Sequence, residues 1–269
     1  MNGIIDFHTH AFPDALAERA VQVLLEEGRK MYDVKAYLDG KVGSLLSSMD
    51  RSGIEKSVIC SIATKPSQFD PIFAWSKQIH SARIEPFPSI HPDDPKAAER
   101  VSLVKDKGLK GIKFHPYYQN FALDDERLFP IYRQLEREQL IVVVHTGFDL
   151  AFERVRRADP LMIIRVLDRF PDLKLVTTHL GSWEDWEEVE KHIMGRNIYM
   201  EISFSLDCMD RETARKIILN HPQDHVLFGS DSPWADQEQA ITLLESLNLG
   251  KDRERRILRE NALKLLAAV

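Results

Sequence analysis

Eight short apolar runs recur along the chain and constrain its fold more than any other feature. They lie at Gly3–Phe7, Ser57–Ile62, Ile84–Ile90, Lys110–Phe114, Leu140–Val144, Leu173–Thr178, Ile198–Ser203 and Val226–Gly229. Their length and β-branched content predict strands. Between them, apolar residues repeat at helical spacing: Leu16, Ala20, Val23 and Leu24; then Leu128, Ile131, Tyr132 and Leu135; then Ile163, Val166, Leu167 and Phe170. A last stripe of Leu258, Ala262, Leu265 and Leu266 follows the eighth run. Each stripe is expected to cover the strands. Alternating strands and helices imply a parallel sheet, because a parallel crossover needs a connection about as long as a helix. Eight repeats predict an α/β fold closed into a (β/α)₈ TIM barrel, and no GxGxxG or Walker loop follows the first strand to favour an open sheet.

The 269 residues are close to the roughly 250 of one such barrel, so a single domain over residues 1–269 is expected. A net charge of −6 offers no general attraction to nucleic acid, and the basic residues at 253, 255 and 256 alternate with acidic ones as on a solvated helix face. No apolar run approaches the ~18 residues of a membrane span. Asp6 and His8 interrupt the N-terminus before a signal-peptide core could form. A cytoplasmic protein acting on a small molecule is therefore expected, compatible with a homo-oligomer. Cys60 and Cys208 are the only cysteines and have no ligand spacing, which predicts two buried structural thiols.

The chemistry gathers at the ends of the predicted strands. In Asp6-Phe7-His8-Thr9-His10 the side chains alternate, so Asp6, His8 and His10 share a face and two imidazoles aim at one point. The fifth run ends in His145-Thr146-Gly147, the sixth in His179-Leu180-Gly181 and the eighth in Ser230-Asp231-Ser232-Pro233. All lie at the C-terminal rim, where barrel active sites are built, and closure of strand eight on strand one brings Asp231 near His8 and His10. Neutral imidazole is a good ligand for Zn²⁺, which makes this rim a candidate metal centre. His80, His192, His221 and His225 fall in helices or at the opposite end, and His91 and His115 read as hydrogen-bonded structural residues.

With these pieces in order, the chain resembles the amidohydrolase superfamily, and within it the amidohydrolase-related branch that includes aminocarboxymuconate semialdehyde decarboxylase-like enzymes. The resemblance rests on His8-Thr9-His10, on His145 and His179, on Gly229-Ser230-Asp231-Ser232-Pro233, and on Glu260-Asn261-Ala262 in the closing helix. It implies one divalent ion held by His8, His10, His145 and Asp231, with His179 as a neighbouring acid/base or polarising group. Zn²⁺ is the expected metal, with Mn²⁺, Fe²⁺ and Co²⁺ compatible with mixed nitrogen and oxygen ligands. Lys113, at the end of the fourth strand, lies where some members of the superfamily carry a carboxylated lysine bridging two metals. Either Lys113 is carboxylated and two ions bind, or it stays an amine and pairs with a substrate carboxylate or with Asp231.

The resemblance implies a metal-dependent hydrolase of an amide, ester or lactone bond in a small anionic substrate. Asp231 would take a proton from water and return it to the leaving group, while His179 polarises the carbonyl. The alternatives are non-oxidative decarboxylation of an unsaturated or aromatic carboxylic acid, and a non-catalytic, metal-stabilised binding protein. Asp6 is either an acceptor that orients a ligating imidazole or a buried structural carboxylate. Lys65, Tyr117, Tyr118, Gln119, Phe148, Arg154, Trp183 and Trp234 are candidates for contacts with substrate, the two cations suggesting its negative charge.

Overall fold

A computed structural model describes residues 3–269. All eight strands are present: β1 Ile4–Thr9, β2 Ile54–Cys60, β3 Ile84–Phe87, β4 Gly111–Phe114, β5 Ile141–Val144, β6 Lys174–Thr177, β7 Tyr199–Glu201 and β8 Val226–Leu227. Every neighbouring pair is parallel. The ladder is continuous from β1 to β3 and from β4 to β8, and both gaps are bridged. Ser89 pairs with Lys113 between β3 and β4, and Thr9 pairs with Ser232 between β8 and β1. Across the second junction Phe7 N donates to Phe228 O at 2.8 Å, Asp231 N to His8 O at 2.8 Å and His10 N to Ser232 O at 2.6 Å. The chain is thus a closed (β/α)₈ barrel, and its closure holds Asp231 beside the two histidines of β1.

Two apolar layers stabilise it. Ile5, Phe7, Val58, Phe87, Ile141, Val143, Val176 and Leu227 pack with Ala262, Leu265 and Leu266 of the final helix (Asn261–Ala267), which closes the barrel at the N-terminal ends of the strands. Asn261 ties that helix to β8, its Nδ2 donating to Val226 O at 2.8 Å. A larger layer lies between strands and surrounding helices, with Ile131, Tyr132 and Leu135 from the helix Phe129–Glu138 and Ile163 and Val166 from the helix Pro160–Arg169, as their spacing predicts.

The stripe of Leu16, Ala20, Val23 and Leu24 does not cover the barrel. In α1 (Asp14–Gly28) the buried residues are Ala17, Val21 and Gly28, while Leu16 is 57% exposed. The covering role falls to α2 (Val42–Ser52), through Leu45 and Met49. Helical periodicity reports that a face is apolar but not what lies opposite it. Cys60 is buried as expected; Cys208 is exposed, because it sits in the β7 loop outside either core. No helix among the described residues is long and apolar enough to cross a membrane.

Candidate metal centre

Four histidines, a lysine and two acids meet at the C-terminal mouth of the barrel. His8 Nε2 and His10 Nε2 lie 3.2 Å apart, and Asp231 Oδ1 lies 3.5 Å from the first and 3.1 Å from the second. Facing them, His145 Nδ1 and His179 Nε2 are 3.1 Å apart. Lys113 Nζ sits within the ring, 3.1 Å from His8 Nε2.

The outer nitrogen of each imidazole fixes which lone pair faces inward. His8 Nδ1 donates to Glu201 Oε1 at 2.9 Å, His10 Nδ1 to Cys60 O at 2.7 Å, and His179 Nδ1 to Ser203 O at 2.9 Å. His145 Nε2 donates to Phe148 O at 2.9 Å. All four inward nitrogens are then acceptors, and neither facing pair can hydrogen-bond to its partner. Burial, reinforced by the Lys113 charge and the neighbouring rings, holds His8 well below the usual imidazole range; burial and the rings of His115 and His179 do the same for His145. Burial also lowers His179. These rings are neutral, as ligation requires.

Asp231 supplies the clearest fit to a cation. Its Oδ1 is buried and accepts no hydrogen bond, a costly arrangement for a carboxylate unless a positive charge meets it. The backbone aims it: Asp231 has φ +67° and His179 φ +55°, left-handed values that non-glycine residues seldom adopt and that cluster at functional sites. Inward lone pairs and one orphaned carboxylate oxygen form a donor set that fits a divalent ion. His8, His10 and Asp231 place one ligand atom each within 4.8 Å of the others, whereas His145 belongs to the opposite pair.

His145 also lies near His115 and Asp149, with ligand atoms inside the same spacing. Those three make a poor metal site. The His115 and His145 rings stack at 4.2 Å with only 13° between their planes, so no single ion could lie in both planes, and His145 Nε2 carries the proton given to Phe148. Asp149 Oδ2, 3.5 Å from that nitrogen, instead reinforces the tautomer that turns His145 Nδ1 inward.

In the sequence, Glu201 reads as one polar residue within the seventh predicted strand, with no local signal to mark it. It is fully buried and accepts from His8 Nδ1, Ser203 N and Ser203 Oγ, the last at 2.8 Å. Burial pushes its carboxyl up to about 8, against the bonds from Ser203; positive charge at the centre would favour its carboxylate form. Gly229 makes room for it, since a Cβ there would stand 2.3 Å from Glu201 Oε2. His115 is likewise more than a satisfied structural residue, because its Nδ1 is buried without a partner. His91 is structural, accepting from Asp93 N at 3.1 Å.

Asp6 takes the structural alternative. Its carboxylate touches no imidazole and accepts from Ser230 N at 3.0 Å, Ser230 Oγ at 2.6 Å and Gln237 Nε2 at 2.8 Å. The pairing register of β1 slips between Asp6 and Thr9, which separates Asp6 from the face of the histidines. Lys113 does not pair with Asp231 within ion-pair distance among the described residues; it meets His8.

The ring opens into a cavity of about 440 Å³, lined also by Tyr118, Trp183 and Trp234. Five expected substrate contacts lie elsewhere. Gln119 is a buried strut donating to Ala63 O and Ile90 O, Tyr117 donates to Val155 O, and Phe148 lies beneath Arg154, which pairs with Glu184. Lys65 is exposed outside the cavity.

A family model described as amidohydrolase matches residues 5–267. A dihydroorotase of Helicobacter pylori strain ATCC 700392 / 26695 is 27% identical over 188 residues, a match covering 57% of this chain and 53% of that protein, so the chain spans about half the length of this relative. Among solved structures, an uncharacterized TIM-barrel protein, Bb4693 from Bordetella bronchiseptica, superimposes with a TM-score of 0.80 at 21% identity and 99% coverage of both chains. The 5-carboxyvanillate decarboxylase LigW from Sphingomonas paucimobilis gives a TM-score of 0.74 at 14% identity, again with 99% coverage of both.

Proposed function

The chain belongs to the amidohydrolase family, and from that premise we propose that it is a divalent-metal-dependent hydrolase of an amide, ester or lactone bond. The observation that carries this reading is the buried, unbonded Asp231 Oδ1 beside the inward nitrogens of His8 and His10. His8, His10 and Asp231 would hold the ion, with His145 completing the set; a second ion between His145 and His179 would require a carboxylated Lys113. Zn²⁺ suits this imidazole-rich set, and Mn²⁺ or Fe²⁺ would also fit. When bound, the ion supplies Lewis acidity, making a water more acidic and withdrawing charge from a substrate oxygen.

The remaining work belongs to the chain. The Asp231 carboxylate accepts the proton released as water attacks and returns it to the departing group. His179 Nε2, unprotonated because Nδ1 donates to Ser203 O, would accept a hydrogen bond from the attacking water and orient it toward the carbonyl, in place of the carbonyl-polarising role expected from sequence. Glu201 keeps His8 in the Nδ1–H tautomer. A substrate seated against the apolar walls above the ring would displace water from the centre and strengthen each electrostatic contact there.

A second reading, non-oxidative decarboxylation, is favoured by Lys113, the one cation in the ring, which could pair with a substrate carboxylate before it leaves. The relatives divide the same way, a dihydroorotase in one case and a decarboxylase in the other. A screen of the metal-loaded enzyme against esters, lactones and amides, and against aromatic and unsaturated acids, with CO₂ release followed separately from ring opening, tests both. Hydrolysis without CO₂ supports the first reading; CO₂ release alone overturns it in favour of the second.

A further inference from the structure

We propose that the substrate of this site is an apolar molecule with a single polar head: an alkyl or aryl body carrying the reacting group and no second charge. The proposal rests on the reading above for the head and on the cavity walls for the body.

The walls explain the misplaced stripe of α1. Leu16 and Leu24 line the cavity from one side, and Ile72 and Trp75 of α3 (Phe69–Ile79) line it too, with Phe12 and Trp234. Leu16, Leu24 and Ile72 pack into neither hydrophobic core. An apolar face turned to water without a protein partner marks a surface that gains by covering. It lies directly above the metal centre, so a substrate whose head reaches His8 and Asp231 has its body against it.

The charges point the same way. Lys113 is the only lysine or arginine lining the cavity among the described residues, and it sits at the floor with the histidines. The other charged lining residues are Asp149 and Asp231, which repel a carboxylate. Arg154 and Arg156 stand near the rim but pair with Glu184 and Asp185 and stack on Phe148. A second carboxylate on the substrate would be desolvated against leucine, isoleucine and tryptophan with no cation to meet it.

The test is equilibrium binding of straight-chain monocarboxylates from butanoate to decanoate, and of α,ω-dicarboxylates of equal length, followed by the fluorescence of Trp75, Trp183 and Trp234. It is run on metal-loaded and metal-free protein and on Ile72→Lys. The expected result is a gain of about fourfold per methylene and a penalty on the order of 100-fold for the second carboxylate. Both trends should persist without metal, because they belong to the walls, whereas Ile72→Lys should shrink the penalty at least about tenfold. Affinity flat in chain length, dicarboxylates binding as well as monocarboxylates, or no binding of any monocarboxylate would overturn the proposal. Persistence of both trends in a protein that neither binds metal nor turns over any ester or acid would retain the proposal and refute the reading of the centre.

Discussion

Asp231 joins the two halves of the proposed site, since it is at once a ligand candidate and the proposed proton acceptor. Asp231→Asn keeps its shape but loses the charge and the basicity. It is expected to lower kcat by about 10² to 10⁴-fold with the melting temperature little changed; wild-type turnover would refute the assignment. Glu201 acts through His8, so Glu201→Gln should weaken metal affinity by roughly 10 to 100-fold, read by competition with a chelator. Neither partner of that pair was equally legible. His8 and His10 announce themselves by an HxH at a strand end, while Glu201 sits 193 positions from His8 in a strand of three residues, and nothing local marks a carboxylate as the acceptor of a distant imidazole. Asp6 was misleading for the opposite reason: alternation placed it with the histidines, and the register slip in β1 turned it toward Ser230 and Gln237.

At the scale of elements, the strands were readable where they are runs of apolar, β-branched residues buried on both faces, as in Ile141–Val144. The connections were less so. The loop after β5 passes against the loop after β6 only because residue 147 is glycine, at φ +90° with a would-be Cβ 2.0 Å from Trp183 N. Gly147→Ala is expected to destabilise the fold by more than about 1 kcal/mol in chemical denaturation, by parting the loops that carry His145 and His179. At the far end of the barrel, His221 accepts from Gly195 N and donates to Ile198 O at 2.7 Å. Burial lowers its pKa from 6.5 to about 4. A depressed folded-state value means the stability contribution is complete above 6.5 and is lost as pH falls toward 4, by up to about 3 kcal/mol. His221→Gln should flatten that part of the stability profile relative to wild type; identical profiles would show that another group governs it.

For the whole molecule, the closed barrel is a frame that brings together residues from β1, β4, β5, β6, β7 and β8. The closure at Thr9 and Ser232 and the order of the strand ends were implicit in the eight-fold alternation, so the location of the centre was legible. The cavity was not: its walls come from α1 and α3, whose apolar faces look the same in sequence whether they meet a barrel or a substrate. A metal at saturating concentration, about 1,000 times its dissociation constant, would stabilise the fold by about 4 kcal/mol. Chelation should therefore lower the melting temperature by roughly 10 °C, and His10→Ala should remove that dependence on metal. The most direct test of the central claim is divalent metal content per chain, by elemental analysis of gently purified protein and of His8→Ala. Close to one ion per chain in wild type, absent from the variant, is the predicted result; no metal in the wild type even after Zn²⁺ or Mn²⁺ is supplied would contradict it.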